Sequence, residues 1–173
     1  AMALMCGPDL MIADEPTTAL DVTIQAELLR LLRDLQHEFN MGLVLITHDL
    51  GIVSRIADRV AVMYAGEVVE YGTAKEIFDN PLHPYTQGLI ACIPSRDHPR
   101  MEHLPSIPGT VPSLSGELKG CHFRERCRYA RPQCRDEIAL SAADGTGHLY
   151  RCILPPHESA ANAGMTRTER AHA

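Results

Sequence analysis

The sequence contains no apolar run that approaches the roughly 18 to 20 residues of a membrane-spanning helix. It also has no excess of basic residues, because 16 Lys and Arg stand against 22 Asp and Glu and give a net charge of −6. A surface basic enough to bind nucleic acid is therefore not expected. With a hydrophobic content of 45%, the composition predicts a soluble globular chain without a transmembrane helix.

A short apolar stretch near the start ends in two adjacent carboxylates. Leu10-Met-Ile-Ala precedes Asp14 and Glu15, and Pro16-Thr-Thr-Ala-Leu-Asp21 follows. Four apolar residues suit a strand buried on both faces of a parallel sheet, and ligand sites in such folds lie at the carboxyl ends of the strands. Two carboxylates are costly to bury there without a cation or hydrogen-bond donors. The run predicts a metal and water site, whereas an isolated Asp-Glu pair would more often be a solvated turn.

A helix and a second strand follow. Apolar residues recur at helical spacing after Asp21 up to Phe39, and Asn40-Met-Gly42 is expected to end that helix. Leu43-Val-Leu-Ile46 reads as another buried strand, followed by Thr47-His48-Asp49. Parallel strands joined by a right-handed crossover share their carboxyl ends. The order of elements therefore predicts that His48 and Glu15 meet at one edge of the sheet.

Together these motifs resemble the nucleotide-binding subunit of ABC transporters over residues 1 to about 80. LMIADEP is similar to the Walker B strand, TALD to the D-loop and LITHDL to the H-loop. The resemblance implies an α/β fold, namely a partial P-loop NTPase-like domain with a parallel sheet and flanking helices. It implies that Asp14 holds Mg²⁺ through water and that Glu15 polarises the water that attacks ATP. It further implies that His48 contacts the γ-phosphate and that Asp21 lies at the seam between two ATPase domains.

Other motifs of that family are missing. The sequence has no GxxxxGK phosphate loop, and the glutamine loop and LSGG-type signature would lie upstream of Walker B. We expect the chain to be the carboxyl-terminal half of a longer polypeptide or of an incomplete gene model. By itself it is not expected to hydrolyse ATP, because phosphate binding in this class needs the loop's backbone N–H groups and Lys. Without the earlier strands, apolar sheet edges should also be exposed.

The remainder of residues 1–80 is predicted to be a helix over 50–56, two strands over 59–64 and 67–71 joined by a tight turn at Ala65-Gly66, and a helix that starts at Gly72-Thr73 and runs through Phe78. The HPYTQGL segment that begins at His83 resembles the carboxyl-terminal extension of dipeptide and oligopeptide importer subunits, whose relatives also move nickel or other solutes. Residues 81–119 are expected to form a short helix and then a Pro-rich arm. His83 is interpreted as a packing or capping residue rather than a ligand.

Four cysteines lie close together in the last third of the sequence, at Cys121, Cys127, Cys134 and Cys152. Four gathered thiols suggest a metal site. Disulfides seldom persist in the reducing cytosol where an ATPase core works. Zinc ribbons usually contain C-x2-C pairs, which are absent here, and the spacing matches no common ferredoxin run. The residues alone leave the metal open.

The resemblance implies a 4Fe-4S cluster, since dipeptide-type importer subunits can carry a four-cysteine extension of this shape. Zinc and reduced, unligated thiols remain the alternatives. Six arginines near the cysteines would offset the negative charge of such a cluster. We place this small cysteine-rich module at residues 120–156 and expect a disordered tail over residues 157–173.

The resulting hypothesis is an ATP-binding and hydrolysing subunit that energises peptide import at the cytoplasmic face of the membrane. Its implied cofactors are ATP and Mg²⁺, besides the cluster. Its implied partners are a second ATPase subunit, identical or different, two permease subunits and an extracytoplasmic solute-binding protein, with no nucleic acid. The alternatives are an importer ATPase for nickel or another solute, and a non-catalytic metal-binding or redox module. A DNA-repair or translation ATPase of the same superfamily is disfavoured by HPYTQGL and the Pro-rich arm.

Overall fold

The structure is a computed structural model, and it describes residues 4–93, 106–113, 119–143 and 147–158. Contacts within the chain divide it into two compact units, residues 1–50 and residues 51–173. Both contain helices and strands, so the described residues form a mixed α/β structure. None of the helices in these ranges combines the length and the apolar character that a membrane span requires.

The first unit is a strand, a helix and a strand. Strand β1 is Leu10–Asp14, helix α1 is Val22–Phe39 and strand β2 is Gly42–Ile46. The two strands pair in parallel, with Leu10 opposite Gly42 and Asp14 opposite Ile46. Helix α1 begins and ends as the sequence predicts, since Asn40 ends it in the left-handed region at φ 49°. A short polar side chain such as that of Asn tolerates this backbone conformation better than most residues do.

The prediction that both strands are buried on two faces is wrong for the described residues. Side chains of β1 and β2 alternate between exposed and half-buried. Ile12 is 64% exposed, and Val44 and Ile46 are also largely open to solvent. The two strands form a sheet of their own. Among the described residues these two strands pair only with each other, and their apolar side chains therefore remain partly open to solvent.

The second unit is built around an antiparallel sheet. Its helices are α2 Leu50–Ile56, whose first residue belongs to the first unit, α3 Ala74–Asp79 and α4 Pro84–Ala91, and 3₁₀ turns span Arg124–Arg126 and Pro132–Arg135. Its strands are β3 Arg59–Tyr64, β4 Glu67–Thr73, β5 Ser141–Ala142 and β6 Leu149–Tyr150. They lie in the order β3-β4-β6-β5. Strand β6 pairs with β4 at Glu70 and Tyr71, so the cysteine-rich module extends the sheet that the β3-β4 hairpin begins.

The core of this unit combines residues distant in sequence. Tyr64 of β3, Tyr85 of α4 and Phe123 of the cysteine-rich module form an aromatic cluster, with ring centroids 4.7 to 5.3 Å apart. Arg126 holds part of the predicted Pro-rich arm against this cluster, because its guanidinium donates hydrogen bonds to the carbonyl oxygens of Ile107 and Pro108. The arm segment 106–113 is therefore anchored by backbone contacts. Residues 94–105 and 114–118 of the arm and 159–173 of the predicted tail lie outside the described residues.

Candidate functional site: a carboxylate and a histidine at one sheet edge

The shared carboxyl edge of β1 and β2 brings Glu15 and His48 together. Nδ1 of His48 lies 3.2 Å from Oε1 of Glu15, although 32 residues separate them in sequence. The parallel register explains this contact, since Asp14 and Ile46 are opposite one another at the ends of their strands. Both side chains are open to solvent, His48 at 79% and Glu15 at 49%. The pair is therefore accessible to a ligand.

The backbone at Glu15 adopts an unusual conformation. Its φ is 44°, in the left-handed region that non-glycine residues seldom occupy. Its N–H donates to the carbonyl oxygen of Ile46 at 2.9 Å, and its own carbonyl accepts from the N–H of Thr18 at 3.1 Å. Strained backbone of this kind persists where the surrounding bonds determine it and is frequent at functional sites. Here it turns the chain sharply at the end of β1.

Sequence analysis did not identify Thr18, which contacts Glu15. Its hydroxyl donates to Oε2 of Glu15 at 2.9 Å. This hydrogen bond, followed by that from His48, holds the pKa of the Glu15 carboxyl below its usual value. The carboxylate is thus ionised and oriented through both oxygens. The only sequence signal was a hydroxyl residue three positions after the carboxylate, which is too common a pattern to be informative by itself.

The other two predicted residues of this site occupy different positions. Asp14 ends β1 with an exposed side chain, a position suited to a hydrated cation because carboxylate oxygen and water are the ligands that Mg²⁺ prefers. Asp21 is the N-cap of α1, and its Oδ1 accepts the N–H groups of Thr23 and Ile24 at 3.0 Å each. An Asp at this position stabilises a helix start. A role for Asp21 at a seam between subunits stays a prediction.

The four cysteines line one largely apolar pocket, together with His83 and Phe123. All four are free thiols. The turns that carry Cys121 and Cys134 are in contact, since the N–H of Cys121 donates to the carbonyl of Cys134 at 2.8 Å. Gly120 allows this approach: its φ is 71°, and a Cβ there would lie 2.4 Å from that carbonyl oxygen. The sequence therefore predicts correctly that these thiols gather.

A formed metal centre is not present in this pocket. Among the described residues no group of three or more His, Cys, Asp or Glu side chains is arranged to hold a metal ion. The cavity measures about 10 Å³, which is the space that one water molecule needs. The donor chemistry suits a thiolate-bound metal. The arrangement of the described side chains gives no support to the 4Fe-4S assignment, and burial in an apolar pocket disfavours the charged thiolate at Cys121, Cys127 and Cys152.

Burial dominates the chemistry of these thiols. It raises the pKa of Cys127 and of Cys152 to about 11, and that of Cys121 also rises. Two of the arginines predicted to offset their charge bind backbone instead. Arg126 binds the arm, and Arg151 donates to the carbonyl oxygens of Val68 and Ile138. These two arginines therefore stabilise the module through its backbone, whereas the charges of Arg124 and Arg128 favour the ionised forms of Cys121 and Cys127, respectively.

A buried carboxylate at the centre of the second unit was also missed. Glu70 is fully buried and accepts three hydrogen bonds, from the N–H of Leu82 at 2.7 Å, the N–H of His83 at 2.8 Å and Nε2 of His148 at 2.7 Å. His83 caps α4 by accepting the N–H of Tyr85 on its Nδ1, which confirms its interpretation as a packing and capping residue. Burial lowers the pKa of His83 to about 3. Glu70 therefore joins β4, the HPY segment and β6.

Comparison with known proteins agrees with these motifs. The family model of the oligopeptide/dipeptide transporter C-terminal region matches residues 69–134. The chain is 56% identical over 154 residues to the oligopeptide transport ATP-binding protein OppD of Haemophilus influenzae, covering 89% of this chain and 47% of that protein. It is 49% identical over 158 residues to OppD of Salmonella typhimurium, with coverages of 91% and 47%. A probable peptide ABC transporter ATP-binding protein of Sinorhizobium fredii is 49% identical over 152 residues, with coverages of 88% and 45%.

Among solved structures, cbiO1 of Clostridium perfringens, part of the ABC transporter complex cbiONQ, is 39% identical. The match covers 42% of this chain and 29% of that one, with a TM-score of 0.39. The chain spans about half the length of the curated relatives it matches. The sequence identity and the family model together support the assignment of this chain as the carboxyl-terminal part of an oligopeptide ABC transporter ATP-binding subunit.

Proposed function

We propose that the complete protein containing this chain hydrolyses ATP to energise the import of dipeptides and oligopeptides. The contact of Glu15 with His48 at the shared edge of β1 and β2 carries this proposal. It provides an ionised carboxylate and an imidazole side by side in an accessible position. Relatives that are about half identical over most of the chain are named as oligopeptide or peptide ATP-binding proteins, which supports the choice of solute.

The roles of the side chains follow from the chemistry of phosphoryl transfer, in which positioning and charge neutralisation supply most of the acceleration. Asp14 would hold Mg²⁺ through water, and that ion would neutralise charge on the phosphates. Oε1 of Glu15 accepts a hydrogen bond from the attacking water and aligns that water with the γ-phosphate. His48 donates to the γ-phosphate once ATP is bound, and Asp21 contacts the second ATPase domain.

The exposed apolar residues of β1 and β2 support a larger domain. Leu10, Ile12, Val44 and Ile46 are each more than 40% exposed, whereas a parallel sheet in an α/β protein is normally covered on both faces. In the proposed complete protein these side chains pack against the part of the ATPase domain that the relatives possess and this chain does not span. That part would also supply the phosphate loop.

Coupling to transport needs partners. We propose two permease subunits, a second ATPase subunit and an extracytoplasmic solute-binding protein, with the ATPase at the cytoplasmic face of the membrane. Contacts that form only when ATP lies between two ATPase domains would favour one state of the permeases over the other.

The decisive experiment uses the complete protein. ATP turnover is measured for the parent, for Glu15→Gln and for a matched control, Glu27→Gln on the exposed surface of α1. We expect turnover to fall about 10²- to 10⁴-fold in Glu15→Gln, with ATP binding retained, and to stay unchanged in the control. Equal turnover of parent and Glu15→Gln would contradict the motor function. Uptake of a labelled dipeptide and of nickel by the reconstituted transporter then separates a peptide importer from one for another solute.

We also propose that the four cysteines ligate a 4Fe-4S cluster in the complete protein. This proposal rests on the donor chemistry of four cysteines within 32 residues, which suits iron-sulfur and zinc, and not on the arrangement of the described side chains. Anaerobic purification followed by iron, sulfide and zinc analysis tests it. About four irons per chain with a visible absorption shoulder is the expected result. Zinc without iron, or four alkylatable thiols and no metal, would each overturn it.

A further inference from the structure

The two oxygens of the Glu15 carboxylate have separate partners. Oε2 accepts the hydroxyl hydrogen of Thr18 at 2.9 Å, and Oε1 is 3.2 Å from Nδ1 of His48. Thr18 belongs to the same turn as Glu15, whereas His48 follows a different strand. One oxygen is therefore held by a local contact and the other by a distant one.

The local contact is reinforced by the backbone. The N–H of Thr18 donates to the Glu15 carbonyl at 3.1 Å, so the backbone and the hydroxyl of Thr18 both bind the same residue. The N–H of Glu15 is in turn fixed to Ile46 of β2 at 2.9 Å. A hydroxyl already placed by its own turn loses little further freedom on making this bond. The Thr18 contact is thus preorganised by the turn.

We propose that Thr18 is a positioning residue for the carboxylate that activates water, holding Oε2 so that Oε1 is the oxygen presented to the water. This inference rests on the proposed role of Glu15. When His48 turns to the γ-phosphate, Oε1 loses its partner while Oε2 keeps Thr18, and the carboxylate plane stays fixed. Preorganised groups of this kind avoid reorganisation during the reaction.

Electrostatics supports the same assignment. The Thr18 hydrogen bond is the largest influence that lowers the pKa of Glu15, and the hydrogen bond from His48 is the next. A hydrogen bond to the charged form of an acid favours that form. The Thr18 hydroxyl therefore favours the carboxylate form that the proposed role of Glu15 requires.

The test compares Thr18→Val, which removes the hydroxyl at nearly constant size, with Thr18→Ser, which keeps it. In the complete protein we expect Thr18→Val to lower kcat about 10- to 100-fold, as for the loss of a hydrogen bond to a charged group, with KM for ATP changed less than about threefold. Thr18→Ser should restore kcat, and Thr110→Val in the arm segment 106–113 should match the parent.

Two outcomes would overturn the inference: an unchanged kcat in Thr18→Val, or equal losses in the Val and Ser variants, which would indicate a packing role. Combining Thr18→Val with Glu15→Gln separates this inference from the proposed function. If Thr18 acts through the carboxylate, the double variant should be no slower than Glu15→Gln alone. If Glu15→Gln itself retains parental turnover, the proposed base is wrong, whatever Thr18→Val does.

Discussion

Each of the two compact units contains a Glu–His pair, and their environments differ. Glu15 and His48 are 3.2 Å apart and about half or more exposed. Glu70 and His148 are 2.7 Å apart and almost completely buried. The buried carboxylate has three hydrogen-bond donors from two segments, the adjacent N–H groups of Leu82 and His83 and the ring of His148, and burial of a charge requires such partners. The exposed carboxylate, that of Glu15, lies on a strained backbone and is accessible to solvent.

The comparison shows that residue type alone does not assign a role to a carboxylate. A buried pair that loses one partner leaves an uncompensated charge in a medium of low polarity, and the cost falls on stability. An exposed pair contributes little to stability because water and salt screen it. Its carboxylate is instead available to a substrate. We therefore expect substitutions in the first pair to affect turnover and substitutions in the second to affect folding.

After Glu15→Gln, the largest expected effect is that of His48→Ala on turnover. Loss of a preorganised donor to the transition state costs about 10²- to 10³-fold in kcat, whereas hydrogen exchange of the β1 and β2 amides should not change. His37→Ala, at the exposed end of α1, is the control for removing a histidine from the same unit. Parental turnover in His48→Ala would contradict the assignment of the exposed pair to catalysis.

The next effect is that of Glu70→Gln on stability. The amide can accept on one atom only and presents N–H groups to neighbouring donors, so we expect a loss of about 2–4 kcal/mol. Faster hydrogen exchange of the β4 amides and of Leu82 and His83 would report it. Glu67→Gln alters a more exposed carboxylate, 3.5 Å from His122, and should cost less than about 1 kcal/mol. Equal costs for the two variants would show that burial does not distinguish these carboxylates.

A smaller effect concerns pH. His83 has a pKa of about 3 in the folded protein against 6.5 as its ordinary value. The unfolded state therefore binds more protons between these values, and the stability contributed by neutral His83 is lost as pH falls below about 6.5. The loss approaches 1.4 kcal/mol per pH unit. His83→Asn retains a capping side chain without titrating.

The measurement is the stability of the second unit by hydrogen exchange between pH 7 and pH 5. The free energy of unfolding of the second unit should decrease less steeply with falling pH in His83→Asn than in the parent. The first unit should show the same pH dependence in both proteins. The same pH dependence of the unfolding free energy in both proteins would mean that protonation of His83 does not destabilise the second unit, which would contradict the prediction.

The smallest expected effect is the loss of local stability in a variant of Thr73, which we compare with Thr18. Like Thr18, Thr73 donates its hydroxyl to a glutamate, here Oε2 of Glu76 at 2.8 Å, but it also accepts the N–H of Glu76 as the N-cap of α3. Thr73→Ala should cost about 1 kcal/mol in local stability of α3, and Thr73→Ser should not. Hydrogen exchange at Ile77 and Phe78 is the readout. Loss of turnover with unchanged exchange would refute a purely structural role for Thr73.

Elements with strong local signals could be predicted from the sequence. Helix α1 has regular apolar spacing, an Asp cap and an Asn end, and its predicted span is observed. The β3-β4 hairpin follows its apolar alternation and the Ala65-Gly66 turn. The start of α3 was placed too early, since Gly72 and Thr73 belong to β4 and the helix begins at Ala74. Strand and helix ends differ little in local preference, so tertiary pairing decides them.

The candidate site was predicted in part. The Walker B and H-loop motifs indicated that Glu15 and His48 would meet, because chain order and crossover handedness determine which strand ends are neighbours. Thr18, Glu70 and His148 were not identified, since a hydrogen bond depends on distances of a few tenths of an ångström that spacing does not encode. The exposure of β1 and β2 was also missed, because burial depends on which other layers are present.

By itself, the sequence determined the family, the helix with its two parallel strands, the meeting of Glu15 with His48 and the clustering of four cysteines. These depend on periodicity, chain order and motif, which are local or topological properties. Only the tertiary structure decided that Thr18 orients the carboxylate, that Glu70 joins three segments of the second unit and that the four thiols line an apolar pocket, where burial raises the pKa of three of them. Those properties arise from the desolvation and exact placement of groups far apart in the chain, and they exist only once it has folded.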